Sequence, residues 1–474
     1  MVIKKSYLLV FTLLIFGNSF AQNSEDLLNL LVQRKIIKKS EADSLRTMYT
    51  AKQADKVKEK TLLVDLQMKN RVEYRNGYGN IPADYSAAST FVNQRSRLTM
   101  DYKQDDLFNA VVSLQDARVW GSHDPKGLNG TIQLFEGYVE PSITPSLSVR
   151  IGRQRIVYDN QRLFAENDWR VNATSHDAIN FRYHKKNLNS ELVGAYNQTS
   201  ERNFGTDFTP AELSITPTSS TASTWTNYKV LAVNYLKYDF NQAVAITTII
   251  AADAYQDAII KEQNYWRFTY GGRLEFKYKN WYATTNSYLQ TGRNNTGKTI
   301  NAWYIQPEVK YNVVNHYSIR LGAELLSGTK GQSGSVDHSF TPLYGVAHRF
   351  NGFMDLFTKF PSDISNVGLV NPYLFINKNL GSKIDLSSQN HLFYTQRNFI
   401  TNTNQALTKF MGYEHDLVVA YKPNAYTNIE TGFSVTFPTE TLTTLKKTGN
   451  PDRIATWAYV QVKFTPRIFK SNFN

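Results

Sequence analysis

The sequence predicts an all-β protein: a single transmembrane antiparallel β-barrel of about 18 strands, preceded by a short helical periplasmic leader. Three observations predict it. From residue 63 to the end, polar and apolar residues alternate in segments of about ten, the period of half-buried strands. Tight polar turns alternate with long loops rich in Gly, Ser, Asn and Thr, which is the rhythm of an outer-membrane barrel. The longest later apolar stretch, Ala243 to Ala254, already contains Thr and Asp and falls short of the roughly 20 residues a spanning helix needs. A chain of this kind crosses a membrane only as a closed barrel.

The N-terminus sets the compartment. Lys4 and Lys5 precede the apolar run Tyr7–Phe16, and Ser19 and Ala21 are small residues placed for cleavage. Residues 1–21 therefore read as a secretory signal peptide cut after Ala21, which lowers the formal charge from +13 to +11. With a barrel behind it, the expected location is the outer membrane of a Gram-negative bacterium. The absence of cysteine excludes disulfides, thiolate metal sites and cysteine nucleophiles.

Residues 22–62 carry helical spacing. Leu27, Leu28, Leu31 and Val32 form one stripe, and Ser40 and Asp43 have the spacing of a capping box. This leader reads equally as a docking element for a periplasmic partner or as a plain extension before the barrel.

The barrel proper is expected over residues 63–474. Val64, Leu66, Met68, Val72 and Tyr74 alternate with Asp65, Gln67, Lys69, Arg71, Glu73 and Arg75. Leu98, Met100 and Tyr102 likewise oppose Arg95, Arg97, Thr99 and Asp101. A charge on the lipid face at mid-depth costs about 2–4 kcal/mol, so the charges decide the register and face a water-filled lumen. The same rule turns Arg150, Arg182, Arg267, Arg273, Arg320, Glu324, Glu414, Asp416 and Glu430 inward. Inward arginines concentrate in the first third of the chain and inward acids in the last half. On different walls of a closed barrel they would set a field across the pore, with a weak anion preference. Any one of them can instead be neutralised by a cross-strand neighbour.

The expected short turns include Gln104-Asp105-Asp106, Pro141–Pro145, Lys279-Asn280 and Lys422–Asn424; the expected long loops include Asp159–His176 and Ser327–Asp363. The last of these is too long for a simple connection. Its middle, His338–Asp355, holds Phe340, Leu343, Tyr344, Phe350, Phe353 and Met354. Apolar content of that kind predicts a lid or constriction folded into the barrel mouth, with Phe340, Tyr344, His348, Phe350 and Asp355 as its candidate residues. His338 and His348 have no Cys and no i, i+4 partner, so neither a metal nor another cofactor is expected.

Other functions fit less well. The eight histidines are scattered and no G-x-S-x-G elbow occurs, which argues against an enzyme. About forty leader residues cannot supply the plug of an active transporter of about 22 strands. The basic residues are spread over strands instead of gathered in a nucleic-acid patch. A purely structural barrel stays open.

Several segments also resemble a family. In order they are "RVEYRNGYG" from Arg71, "NQRSRLTMDYKQDDLFNAVVSLQDARVWG" from Asn93, "SVRIGRQRIVYDNQRL" from Ser148, "NDWR" from Asn167, "SHDAINFRYH" from Ser175, "LGAELLSG" from Leu321, "FTPLYGVAHRFNGFMD" from Phe340 and "YEHDLVVAYKPNAYTNIETGFS" from Tyr413. Over about Arg71 to Phe464 the chain resembles the alginate export family of outer-membrane barrels. The resemblance implies an 18-stranded barrel whose arginine-lined lumen conducts an anionic polysaccharide. It carries Arg95, Arg97, Arg118, Arg150, Arg153, Arg155, Arg170 and Arg182 over as lumen or mouth contacts. Arg153 and Arg155 fall on the lipid-facing parity of their strand, so they are expected above the membrane or beyond a bulge. The leader "LLNLLVQRKIIKKSEADSL" from Leu27 is similar to that of phosphate-selective-type porins. The expected function is passive diffusion of anionic solutes, such as an acidic polysaccharide or oligosaccharide, through a lipid-embedded channel. A general or phosphate-type porin fits the same residues.

Overall fold

The computed structural model describes residues 29, 31–34, 36–45, 60–122, 132–208, 228–257, 259–313, 316–329 and 335–473. The chain forms two units, residues 1–59 with 474, and Lys60–Phe473. In the first unit residues 31–33 and 39–45 are helical. The Glu41 carboxylate accepts from the Lys38 N–H at 2.8 Å. Ser40 therefore lies inside the helix, and Glu41 does the capping that the spacing had assigned to Ser40 and Asp43. The signal peptide lies outside the described residues.

The second unit begins with β1 (Lys60–Asn76), β2 (Ser89–Gln104), β3 (Phe108–Val119), β4 (Gln133–Thr144), β5 (Leu147–Gln154), β6 (His176–Lys185) and β7 (Leu188–Tyr196). It continues with β8 (Val230–Asp239), β9 (Val244–Gln256), β10 (Asn264–Tyr278), β11 (Trp281–Arg293), β12 (Thr299–Val313), β13 (Tyr317–Leu326) and the two-residue β14 (Val336–Asp337). β15 (Leu369–Leu380), β16 (Ile384–Thr395), β17 (Phe410–Asn424), β18 (Thr427–Pro438), β19 (Ala455–Phe464) and β20 (Arg467–Phe473) complete it. β14 belongs to the loop between β13 and β15, which pair directly. β19 and β20 are one strand broken at Thr465-Pro466, since a proline has no N–H to give a ladder. β1 pairs with β2 on one side and with β19 and β20 on the other. The result is a closed 18-strand antiparallel barrel.

The barrel starts three residues before the expected boundary at 63, because Lys60–Leu62 already pair with Tyr102–Gln104 and with Ser471–Phe473. Two turns are tighter than expected. β4 runs through Pro141 to Thr144, with a register shift near Ser142 that accommodates it. β17 includes Lys422–Asn424. In two-residue turns, Lys186 and Lys279 adopt left-handed φ values of 52° and 51°, which suit the twist of a hairpin.

The outward face is apolar. Val72, Met100, Val112, Ile151, Phe181, Ile250, Leu274, Leu321 and Phe433 are all exposed, far more apolar surface than a soluble monomer shows. Aromatic pairs mark the rims: Tyr238–Phe240, Trp281–Tyr311 and Tyr426–Phe464 at the short-turn end, Trp266–Phe268 and Tyr413–Phe437 at the other. Such rings sit at membrane interfaces. Ile250 is 58% exposed in the middle of β9. Ile250→Arg should destabilise the bilayer-embedded barrel by about 2–4 kcal/mol, read from reversible denaturant titration in liposomes; an unchanged midpoint would place this face in water.

Closure also corrects the expected charge layout. Only β19 separates β18 from β1. The acids of β17 and β18 therefore adjoin the basic residues of β1 and β2 and do not face them across the pore. Gln461 is the cross-strand partner of both Arg71 and Glu430. Strands remote in sequence become neighbours when a sheet closes, so first and last thirds share a wall.

Candidate functional site

Two loops occupy the lumen, residues 155–175 between β5 and β6 and, between β13 and β15, the described residues 327–329 and 335–368. They pair with each other: Phe164 and Tyr344 form a parallel bridge, the Tyr344 N–H donates to the Leu163 carbonyl at 2.9 Å, and the Val346 N–H to the Gln161 carbonyl at 3.0 Å. Phe340 and Tyr344 are buried among Phe164, Met354, Phe357, Phe360 and the wall residues Tyr288 and Tyr304. Phe350 is buried with Ala165 and Val346. Gly345 and Gly352 permit the close approach, since a Cβ would collide with the Arg162 carbonyl at one and with the Glu414 carboxylate at the other.

Arg162 locks both loops to the barrel. Its guanidinium meets Glu324 of β13 at 2.8 Å, Asn351 at 2.9 Å and the Val346 carbonyl at 3.0 Å. Tyr344 donates to Asp253 at 2.6 Å, and Arg267 holds the same carboxylate at 2.6 Å. Glu414 and Asp416, both fully buried, accept the backbone N–H groups of Met354 at 2.9 Å and Phe353 at 3.3 Å. These acids anchor the loop; they do not line an open path.

The basic wall is likewise occupied. Lys69 donates to the carbonyls of Asp168 and Trp169 at 2.6 and 3.1 Å, and Arg71 to that of Trp169 at 3.0 Å. Arg95, fully buried, pairs with the Asp168 carboxylate at 2.5 Å. Lys463 reaches it at 3.1 Å and Arg97 at 4.0 Å. Burial by itself would raise the Asp168 carboxyl, but Arg95, Lys69 and Lys463 outweigh it and hold it at about 2.

The remaining inward residues are mostly paired within the wall. Asp101 accepts from Asn109 at 2.6 Å. Glu140 takes Arg150 at 2.7 Å and Arg182 at 2.9 Å, and Arg182 also meets Glu191 at 3.1 Å. Arg273 pairs with Glu275 at 2.8 Å, and Glu430 accepts from the Tyr459 hydroxyl at 2.7 Å. Arg155 lies just past the end of β5 and turns back to Glu136 at 3.0 Å and Glu166 at 2.7 Å.

Arg118 departs from its expected place in the lumen. It shares the outward parity of Val112 and Leu114 and pairs with Asp116 at 2.6 Å near the long-loop rim. Arg153 does the same on β5, meeting the exposed Asp177 at 2.9 Å. In both cases the period-two register overrides the carried-over role.

Between the inward loops Trp169, His348 and Phe353 stack, with centroids 4.2 and 4.6 Å apart. The Arg71 guanidinium covers the Trp169 ring at 4.1 Å. Asp355 fixes His348 Nδ1 at 2.8 Å and also accepts from the Tyr78 hydroxyl. Trp169 and His348 border two cavities. One, of about 50 Å³, holds Arg170 and Tyr344 on its lining; the other, of about 370 Å³, holds Arg320, Arg349, Phe375 and Gln389. Sequence reasoning missed Arg162, Asp168, Trp169 and Arg349 because loop residues have no parity to read, although "NDWR" had stood out as a segment.

Among curated proteins none matches the sequence. Solved structures resemble the fold. Acinetobacter baumannii OccAB1 is 12% identical, with 86% of this chain and 97% of that chain covered and a TM-score of 0.59. OccAB4 of the same organism is 12% identical over 88% and 99% of the two chains, TM-score 0.57. Pseudomonas aeruginosa OpdK, solved with vanillate, is 10% identical over 87% and 99%, TM-score 0.52. At these identities the likeness is one of fold, that of outer-membrane porin barrels. The alginate export family model matches residues 61–455, and with nearly the whole barrel inside that match, the chain belongs to the alginate export family.

Proposed function

We propose that the protein is an outer-membrane channel through which anionic solutes diffuse passively, with acidic saccharides as the solute class. The observation that supports this most is the charge balance at the constriction. Three cations, Arg95, Arg97 and Lys463, gather around the single carboxylate of Asp168, whose backbone carbonyl accepts from Lys69. An excess of fixed positive charge at the narrowest point of a water-filled path favours anions over cations.

Reversal potential in a salt gradient, measured on the refolded protein in planar bilayers, tests the reading. The expected result is steady conductance with anion preference, blocked by oligouronates. Cation preference would overturn the anion assignment, and a barrel with no conductance would be a structural one.

A second reading, a porin for small anions without polysaccharide specificity, is favoured by one observation. The inward loops leave a cavity of about 370 Å³ below the constriction, a volume suited to a small molecule and tight for a polymer. OpdK, a barrel of similar fold, was solved with the small carboxylate vanillate. Block by phosphate or a monocarboxylate, and none by oligouronates, would select it.

A further inference from the structure

Not every polar side chain of the barrel wall faces water. On the outward face of three adjoining strands, Asn70 of β1, Gln94 and Ser96 of β2, and Asp116 and Arg118 of β3 lie side by side. The register sets Asn70 opposite Gln94 and Gln94 opposite Arg118, with Ser96 opposite Asp116 in the next outward row. All five share the parity of the exposed Val72, Met100, Val112 and Leu114. The exposed rings of Tyr74 and Trp120 stand beyond them on the long-loop side, and Met100 and Val112 on the short-turn side. The group therefore lies within the apolar band that the aromatic rims enclose.

Hydrocarbon offers no hydrogen bond, so polar side chains in it are satisfied by one another or by a protein neighbour. Within the chain this group is joined in part. Trp120 Nε1 donates to Gln94 Oε1 at 2.9 Å, Gln94 Nε2 to the Ser96 hydroxyl at 3.3 Å and Arg118 Nε to Asp116 at 2.6 Å. The Asn70 Oδ1 is left without a donor. Another outward amide, Asn390 of β16, shows the closed case: its Oδ1 accepts from the Tyr413 hydroxyl at 2.7 Å and its Nδ2 donates to the Leu374 carbonyl at 3.2 Å.

The chemistry of the β1–β3 group says what covers it. It carries one acid and one base, so it does not complement a phosphate surface, but it complements itself. Arg118 of one copy can meet Asp116 of another, and each of the amides Asn70 and Gln94 brings both a donor and an acceptor. Exposed Ile132, Leu134, Val460 and Val462 border the group on β19 and on the β4 side, supplying apolar contact around a polar centre. We propose that the outward face of β1–β3 is a dimerisation surface, covered by the same face of a second copy of this chain about a two-fold axis along the membrane normal. This inference concerns assembly and holds whatever the channel conducts.

The chain has no cysteine, so one introduced thiol reports one contact. Ser96→Cys in liposomes free of lipopolysaccharide, at low protein-to-lipid ratio, should give a cross-linked dimer with a short bis-maleimide. Leu274→Cys, exposed on β10, should give none. Adding Asp116→Leu and Arg118→Leu to Ser96→Cys should lower the cross-linked fraction about tenfold, the effect of losing two symmetry-related hydrogen bonds in a membrane. Leucines suit a lipid face, and strand content by circular dichroism shows that this variant is folded. No cross-link at Ser96→Cys, or equal cross-linking at both thiols, would overturn the dimer. So would a cross-link that the two leucines leave unchanged. Loss of the cross-link once lipopolysaccharide is included, with lipopolysaccharide retained by Ser96→Cys and released by the leucine variant, would assign the face to lipid phosphate and overturn the proposal as well.

Discussion

Arg162→Ala is expected to raise single-channel conductance several-fold and to make the open current noisy. The Arg162 and Glu324 side chains are 1% and 0% exposed, and their pairing holds both inward loops against β13. Removing one partner of a buried ion pair costs about 3–5 kcal/mol, because the other charge is left uncompensated. In this case Glu324 would keep only Asn351 at 2.6 Å and the Tyr304 hydroxyl at 2.5 Å. The cost falls on the loops, since the barrel strands hold one another through their own ladders. The expected product is therefore an intact barrel with its two loops detached from the wall. Limited proteolysis checks it: Arg162→Ala should be cut within residues 327–368 under conditions that spare the wild type. Unchanged conductance and unchanged protection together would show that the loops are held by their apolar contacts alone.

Asp168→Asn should change both selectivity and pH response. The Asp168 carboxyl is held at about 2, below its usual 3.8. A carboxyl depressed by its native partners contributes anchoring that is fully present above its ordinary value and is lost as pH falls from there through about 2. A displacement of nearly two units corresponds to about 2 kcal/mol for this partly exposed side chain. The part of the wild-type conductance that depends on Asp168 should therefore hold constant from neutral pH to about pH 4 and change between there and pH 2. In Asp168→Asn that transition should be missing. At neutral pH the variant should already conduct more, with a stronger anion preference, because Arg95, Arg97 and Lys463 lose their shared counter-charge. A wild-type acid transition that persists in the variant would assign it to another carboxylate.

Much of this architecture follows from the sequence alone. A strand has period two, and lipid on one side with water on the other makes each position's choice local. For that reason Arg95, Arg150, Arg182 and Glu430 could be placed inward without reference to any other strand, and the outward placement of Arg118 follows from its parity with Val112 and Leu114. The apolar content of residues 338–355 likewise announced a segment that needed covering.

What only the tertiary structure decided is what those inward groups meet. Closure puts β18 and β1 on one wall, which no local pattern contains. The basic wall of β1, β2 and β19 is taken up by Asp168, Trp169 and their neighbours, from a loop with no periodicity to read. The acids of β17 receive the backbone N–H groups of Phe353 and Met354, about sixty residues away in sequence. Arg349 looked like an ordinary loop residue until the fold set it beside Arg320 on the lining of an inward cavity. Parity depends on one residue and its two solvents; neutralisation depends on which distant carboxylate or carbonyl the closed barrel brings within 3 Å, and that distance exists only once the chain is folded.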